Sequence, residues 1–196
     1  MQLHKRDVVE AATSLLDEYG IADLSMRRLA RELAVSPGAL YWHFANKQQL
    51  LGAVSDRILQ PVYISAQPST DPDGWRARIT GTCGQLREAL LSHTDGAELV
   101  SASFAAGQSE AMNGVLARLS AAAAEAGVDD PHAELAARTV IYYVLGFTAD
   151  EQSRMQWDAA GADVAHTIWT ENPSARFTFG LSLLVDGIAA HSNADA

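Results

Sequence analysis

Helix punctuation constrains this chain more than any other feature of it. Ser25, Ser36, Asn46, Asp130 and Asn172 all stand where a helix start needs a side-chain acceptor. Three of these are followed at once by proline, as Ser36-Pro37, Asp130-Pro131 and Asn172-Pro173. A capping oxygen satisfies one of the orphan N–H groups of the first turn, and proline at the first helical position has no N–H to leave unpaired. Between these starts the apolar residues recur at three and four. No alternating apolar–polar run is bounded by turn residues. The pattern predicts an all-α chain.

The first predicted helix covers Lys5–Tyr19, with Val9, Ala12, Leu16 and Tyr19 inward and Gly20 as its stop. A second runs over Met26–Leu33, with Leu29, Ala30 and Leu33 inward. A short third opens at Pro37 and reaches about His43, and a long fourth runs unbroken from Lys47 to Gln60. Asn46 and Gln49 have capping-box spacing at its start. A breaker-rich linker, Gln67–Gly74, follows. Further helices are expected over Trp75–Leu91, Gly96–Ser101, Glu110–Ala126, Pro131–Ser153, Gly161–Trp169 and Pro173–His191. This divides the chain into a head, residues 1–46, and a larger helical domain, residues 47–196.

The net charge of −10 argues against a nucleic-acid partner only until the charges are located. Residues 1–47 hold six basic and six acidic side chains, so the acidic excess lies entirely in the remainder. Within residues 25–47 Glu32 is the only acid, against Arg27, Arg28, Arg31 and Lys47. Phosphate neutralisation is local, and one basic face is enough for it. Cys83 is the only cysteine, which fits a reducing compartment. The N-terminus lacks a signal-like apolar stretch, and the most apolar run, Val140–Ala149, is too short to span a bilayer. A cytoplasmic protein with no membrane partner is expected. Nucleophile elbows, paired metal-ligand histidines, C-x-x-C and phosphate loops are absent, and the six histidines are scattered along the chain. No catalytic residue, cofactor or metal is read from the sequence.

The head carries the features of a DNA reader. Ala30 is small where the second helix meets the third, and Val35 can close the turn. Leu40 and Phe44 can face inward at i, i+4, leaving Pro37, Gly38, Ala39, Tyr41, Trp42 and His43 around a groove. The small Pro37-Gly38-Ala39 triplet permits close approach to base edges, with Ala39 offering a methyl to thymine. Tyr41, His43 and Lys47 are donors suited to phosphate, and Arg27 and Arg28 can reach a phosphate or a guanine edge. The stretch Leu24–Lys47, above all Leu40-Tyr41-Trp42-His43-Phe44-Ala45-Asn46-Lys47, resembles the DNA-binding domain of tetracycline-repressor-family regulators. The resemblance implies a three-helix head whose third helix enters the major groove. Its usual contacts match Arg27, Pro37, Gly38, Ala39, Tyr41, Trp42, His43 and Lys47.

Leu90-Leu91-Ser92-His93, Asp95-Gly96-Ala97, Leu145-Gly146, Asp150-Glu151-Gln152 and Phe177–Leu183 resemble the core domain of the tetracycline repressor. In that repressor a histidine, a threonine and a glutamate organise a magnesium–drug chelate. The matching positions here are Val100, Ser103 and Asp150, a thin donor set for magnesium. Thr82, Leu86 and Phe104 match the residues that hold the drug. With Phe147, these imply a metal-free pocket for a hydrophobic or aromatic effector, with Trp75, Tyr142, Tyr143 and Trp157 as further candidate lining. Val140, Val144 and Phe147 recur on one helix face, and Phe177, Leu181, Leu184, Val185 and Ile188 on another, with Gly180 and Gly187 small. The resemblance makes Val140, Val144, Phe177, Leu181, Leu184 and Ile188 a homodimer interface. The expected function is a repressor released from a palindromic operator by its effector. The alternatives are a ligand-activated or co-repressed regulator, and, behind these, an adaptor or enzyme without DNA binding.

Overall fold

The structure, a computed structural model, describes residues 3–64, 74–162 and 171–192. Among these residues there are ten helices and no strand. They are α1 (Lys5–Tyr19), α2 (Met26–Glu32), α3 (Pro37–Tyr41), α4 (Lys47–Ile58), α5 (Gln60–Ile64), α6 (Gly74–Leu91), α7 (Gly96–Ala105), α8 (Glu110–Glu125), α9 (His132–Ala159) and α10 (Pro173–Ser192). The predicted linker lies mostly outside the described residues, as does most of the short helix expected over Gly161–Trp169.

Four of the five predicted caps form, Asn172 accepting from the Ala175 N–H among them, but Asp130 does not cap α9, which starts one residue late at His132, behind Pro131, with no side-chain cap. Ser25 accepts from the Arg28 N–H, Ser36 from Ala39 and Asn46 from Gln49. The reciprocal half of the third cap is displaced by one residue, since Gln49 Oε1 accepts from the Ala45 N–H rather than from Asn46. Gly20 ends α1 at φ 78°, its N–H donating to the Leu16 carbonyl. In α1 the buried stripe is Val8, Ala12, Leu15 and Leu16, one position round from the expected face. Tyr19, expected inside, is 44% exposed and carries the Arg28 guanidinium over its ring at 3.7 Å. Exposed aromatic faces attract guanidinium groups weakly, and this pair fixes Arg28 within the head.

α7 runs four residues past the expected Ser101, to Ala105, and two further helix ends differ from expectation for identifiable reasons. α4 stops at Ile58 because Pro61 has no N–H to continue the ladder, and α5 restarts at Gln60. α9 runs on to Ala159, since nothing between Ser153 and Gly161 breaks a helix; Gly161 then takes φ 76°.

The buried apolar residues form one connected cluster from Val8 in α1 to Ile188 in α10. In the head, Leu16, Leu24, Leu29, Leu40 and Phe44 meet Leu50 and Val54 of α4. In the second domain α8 packs on α9, with α6 and α7 beside them and α10 against α9 and α6. α4 belongs to both parts. Gly52 lets it press against the α7–α8 turn, where an added Cβ would overlap the Gln108 carbonyl. Next to this contact, Asp56 Oδ1 accepts from the Ala111 N–H at 2.9 Å and the Ser109 hydroxyl at 2.7 Å. The buried hydroxyls of Ser55 and Ser109 lie 3.1 Å apart. A carboxylate at a helix N-terminus is favoured by the free N–H groups there. α4 is therefore clamped to the start of α8.

Candidate nucleic-acid interface and sensing core

α2 and α3 meet through a tight turn. The Val35 N–H donates to the Ala30 carbonyl at 2.9 Å, and Ala34 takes a positive φ of 52°. Ala30 is buried and Val35 half-buried, which allows the close crossing that helix-turn-helix geometry needs. Leu40 and Phe44 are buried, so α3 is anchored by one face. The opposite face presents Pro37, Gly38 and Tyr41 to solvent, with Ala39, His43 and Lys47 half-buried. Trp42, which caps the end of α3, is 91% exposed and Tyr41 is 52% exposed. Arg27 projects from the start of α2 and is exposed. Arg28 is not presented with the others: it is ion-paired to Asp23 and stacked on Tyr19.

The residues expected to bind effector are only partly brought together. Leu86 of α6 and Val100 and Ser103 of α7 are fully buried where these helices pack. Thr82 and Phe104 are half-buried. Ser103 Oγ has no hydrogen-bond partner, an unusual state for a buried hydroxyl. Phe147 sits elsewhere, in an aromatic group with Tyr143 and Phe177 at the α9–α10 contact. Asp150 lies on the outer side of α9, bound to Arg154 at 2.8 Å. Of the further aromatics, Trp75 is buried, whereas Tyr142 and Trp157 are exposed.

The motif Asp150-Glu151-Gln152 works as a brace. Glu151 forms a two-point pair with Arg87 at 2.6 and 2.9 Å, both side chains 12% exposed. The buried Gln152 amide donates to the carbonyls of Leu90 and His93, and its oxygen accepts from the Ala97 N–H. It thus holds the α6–α7 turn to α9. That turn also grips the head. Asp95 accepts from the Ile21 N–H at 2.9 Å and, through its other oxygen, from Gln156 of α9. Asp17 at the end of α1 pairs with His93 at 3.0 Å and accepts from the Thr94 N–H. Gly20 is required here twice over, by its positive φ and because a Cβ would lie 2.6 Å from the Asp95 carboxylate. None of these head-to-core contacts was readable from the sequence. Their residues lie far apart in the chain, and the motif that holds Asp95 says nothing of its partner in the head.

The expected dimer residues Val140, Val144, Phe177, Leu181 and Ile188 are buried within a single subunit, and Leu184 is half-buried. Gly180 faces Tyr143 of its own chain. The outward apolar residues of α9 and α10 are instead Leu135, Tyr142, Phe179 and Leu183, each 57–66% exposed. Both helices are apolar on two sides, and periodicity alone marks the stronger, inward stripe.

Residues 8–54 match the family model described as bacterial regulatory proteins, tetR family, and residues 67–168 match the tetracyclin repressor-like C-terminal domain. The chain belongs to the tetR family. The tetracycline repressor protein class A from transposon 1721 of Escherichia coli is 32% identical over 205 aligned residues, covering 96% of this chain and 91% of that protein. The crystal structure of Mycobacterium smegmatis BioQ superposes with a TM-score of 0.87 at 61% identity, over 97% of this chain and 99% of that one. BioQ crystallised with its natural double-stranded DNA operator matches with a TM-score of 0.82 at 59% identity, over 97% of this chain and all of that one (100%). This tetR-family chain is a DNA-binding transcriptional regulator and not an enzyme. Burial pushes the Cys83 thiol up to about 12, which suits an inert core residue and not a nucleophile. No helix among the described residues is long and apolar enough to cross a membrane.

Proposed function

We propose that this chain is a homodimeric repressor that binds a near-palindromic operator and leaves it when a small, largely apolar effector enters the second domain. One observation carries the reading: Trp42 and Tyr41 stand largely in water at the end of α3, beside Lys47 and the free N–H groups that open α4. A head this small has little reason to leave its largest aromatic unpacked unless a partner covers it. In this reading α3 enters the major groove. Pro37, Gly38 and Ala39 lie against base edges, Arg27 reads a base or grips phosphate, and Tyr41, His43 and Lys47 hold phosphates. Arg28 serves the head's own packing. The BioQ–operator structure at 59% identity supports operator binding by a chain of this fold.

The dimer is proposed to form through the exposed stripe of α9 and α10, with Leu135, Tyr142, Phe179 and Leu183 at its centre. Two-fold symmetry then sets two α3 helices about 34–36 Å apart, one turn of B-DNA, or a near multiple. The effector is proposed to lie among Leu86, Val100, Ser103, Thr82 and Phe104. Apolar walls and one unpaired hydroxyl suit a hydrophobic molecule with a single hydrogen-bonding group. The test is a gel shift on the DNA upstream of the protein's own gene, followed by footprinting. The expected result is a symmetric protected site, released by a ligand that quenches core fluorescence. Failure to prefer that DNA over a random duplex at physiological salt would overturn the reading.

A further inference from the structure

We propose that Asp129, His132 and His191 form a binding site for a borderline divalent transition metal such as Zn2+, clasping the last turn of α10 to the start of α9. The three side chains come from two places distant in the chain. Asp129 and His132 flank the entry to α9, and His132 Nδ1 lies 2.8 Å from Asp129 Oδ1. His191 arrives from the far end of α10, its ring edge-on to that of His132 with centroids 5.8 Å apart. One donor atom from each of the three lies within 4.8 Å of the others.

These distances bracket what one shared ion needs. Zinc takes imidazole nitrogen at about 2.0–2.1 Å and carboxylate oxygen at about 2.0–2.2 Å, so donors sharing one ion stand roughly 3–4 Å apart. All three residues are exposed, so their side chains have room to turn toward a shared ion. A hydrogen bond between neighbours in the chain accounts for Asp129 and His132 alone. It does not account for the second imidazole converging on the same point. Two nitrogens and one carboxylate select zinc, cobalt, nickel or copper over magnesium and calcium, which prefer all-oxygen surroundings.

The site is separate from Val100, Ser103 and Asp150, where the family resemblance would place magnesium. It lies at the end of a cleft of about 350 Å³ between α9 and α10, lined by Leu135, Leu183 and Ile188. Three protein ligands leave the other coordination positions to water. The ion would fix the end of α10, which packs chiefly on α9 and, less, on α6.

The experiment uses the untagged, full-length protein stripped of metal, titrated with Zn2+ in a calorimeter and with Co2+ by visible absorption. The expected result is one ion per chain at micromolar concentration, with the cobalt band intensity of a four- or five-coordinate site. Losing a group that merely orients a ligand costs about 10–100-fold in affinity. His132→Ala and His191→Ala should therefore each weaken uptake by at least about a hundredfold. Circular dichroism and operator binding of His191→Ala, a change on an exposed last turn, confirm that the fold survives. No saturable uptake by the wild-type protein at tens of micromolar Zn2+ would overturn the proposal. So would uptake that persists undiminished in both histidine variants.

Discussion

Trp42 separates folding from function at a single side chain. Because it is 91% exposed, Trp42→Ala removes almost no packing and should leave the thermal midpoint unchanged. Operator affinity should nevertheless fall at least about tenfold, the weight of one good contact of about 1.4 kcal/mol. A melting curve and a gel shift on the same sample check both halves, and a large loss of stability would place Trp42 in the core instead. Lys47 makes a different kind of contact. If it neutralises a phosphate, Lys47→Ala should weaken binding to every sequence alike and lower the salt slope by about one unit. An unchanged slope across a salt series would remove Lys47 from the phosphate contacts. The two adjacent arginines should also part company. Arg27→Ala is expected to change preference among point-substituted operators, whereas Arg28→Ala should cost up to about 1 kcal/mol of head stability with little effect on preference. That division was not legible in residue type and position, where Arg27 and Arg28 look equivalent; only the family resemblance, which matches Arg27 and not Arg28, separated them. Asp23 and Tyr19 claim Arg28 only once the loop after α1 has folded back.

At the scale of elements, α4 joins the head to the helices behind it. It starts beside α3, and its middle is clamped to α8 by Gly52, Ser55 and Asp56. Asp56→Ala leaves the Ala111 N–H and the Ser109 hydroxyl without their acceptor, at a cost of about 1–3 kcal/mol. It should also loosen the tie between effector and operator, so that saturating effector displaces less DNA than in the wild type. Fluorescence anisotropy with and without effector gives that ratio directly, and full displacement in the variant would show that α4 transmits through other contacts. Most helix starts were readable, because a cap and a following proline act within one turn; Asp130-Pro131 is the exception, since Asp130 caps nothing and α9 begins at His132. Helix ends were harder. α4 stops three residues before a proline whose effect reaches backward, and α9 overruns because polar residues such as Arg154 and Gln156 are good helix formers. Faces were hardest of all for α9 and α10, where the inward stripe of Val140 and Val144 outshone the outward one of Leu135 and Tyr142.

Over the whole molecule, specificity should rest on two heads held at one spacing. Leu183→Glu places a charge on the exposed α10 stripe without disturbing the subunit's own core, where Leu181 and Val185 lie. Sedimentation velocity should show a monomer, and operator affinity should fall by about 10²–10⁴, the value of linking two half-site contacts. A variant that remains dimeric would move the interface elsewhere. Effector and operator should oppose each other reciprocally. An effector preferring the released arrangement by about 3 kcal/mol cuts DNA affinity on the order of a hundredfold, and DNA must weaken the effector by the same factor. Titrating effector into a preformed complex decides the sign, since tightening would make the protein co-repressed. Observing that motion directly is made easier by Cys83. Cys83 is fully buried, and burial pushes its thiol up to about 12, so it is neither reachable nor reactive near neutral pH. A maleimide or nitroxide reagent will therefore pass over the native sulfur and take a cysteine introduced at exposed Gln48, on the head side of α4. Each dimer then carries two labels and no background, and the head-to-head distance becomes a spectrum recorded on otherwise unaltered protein.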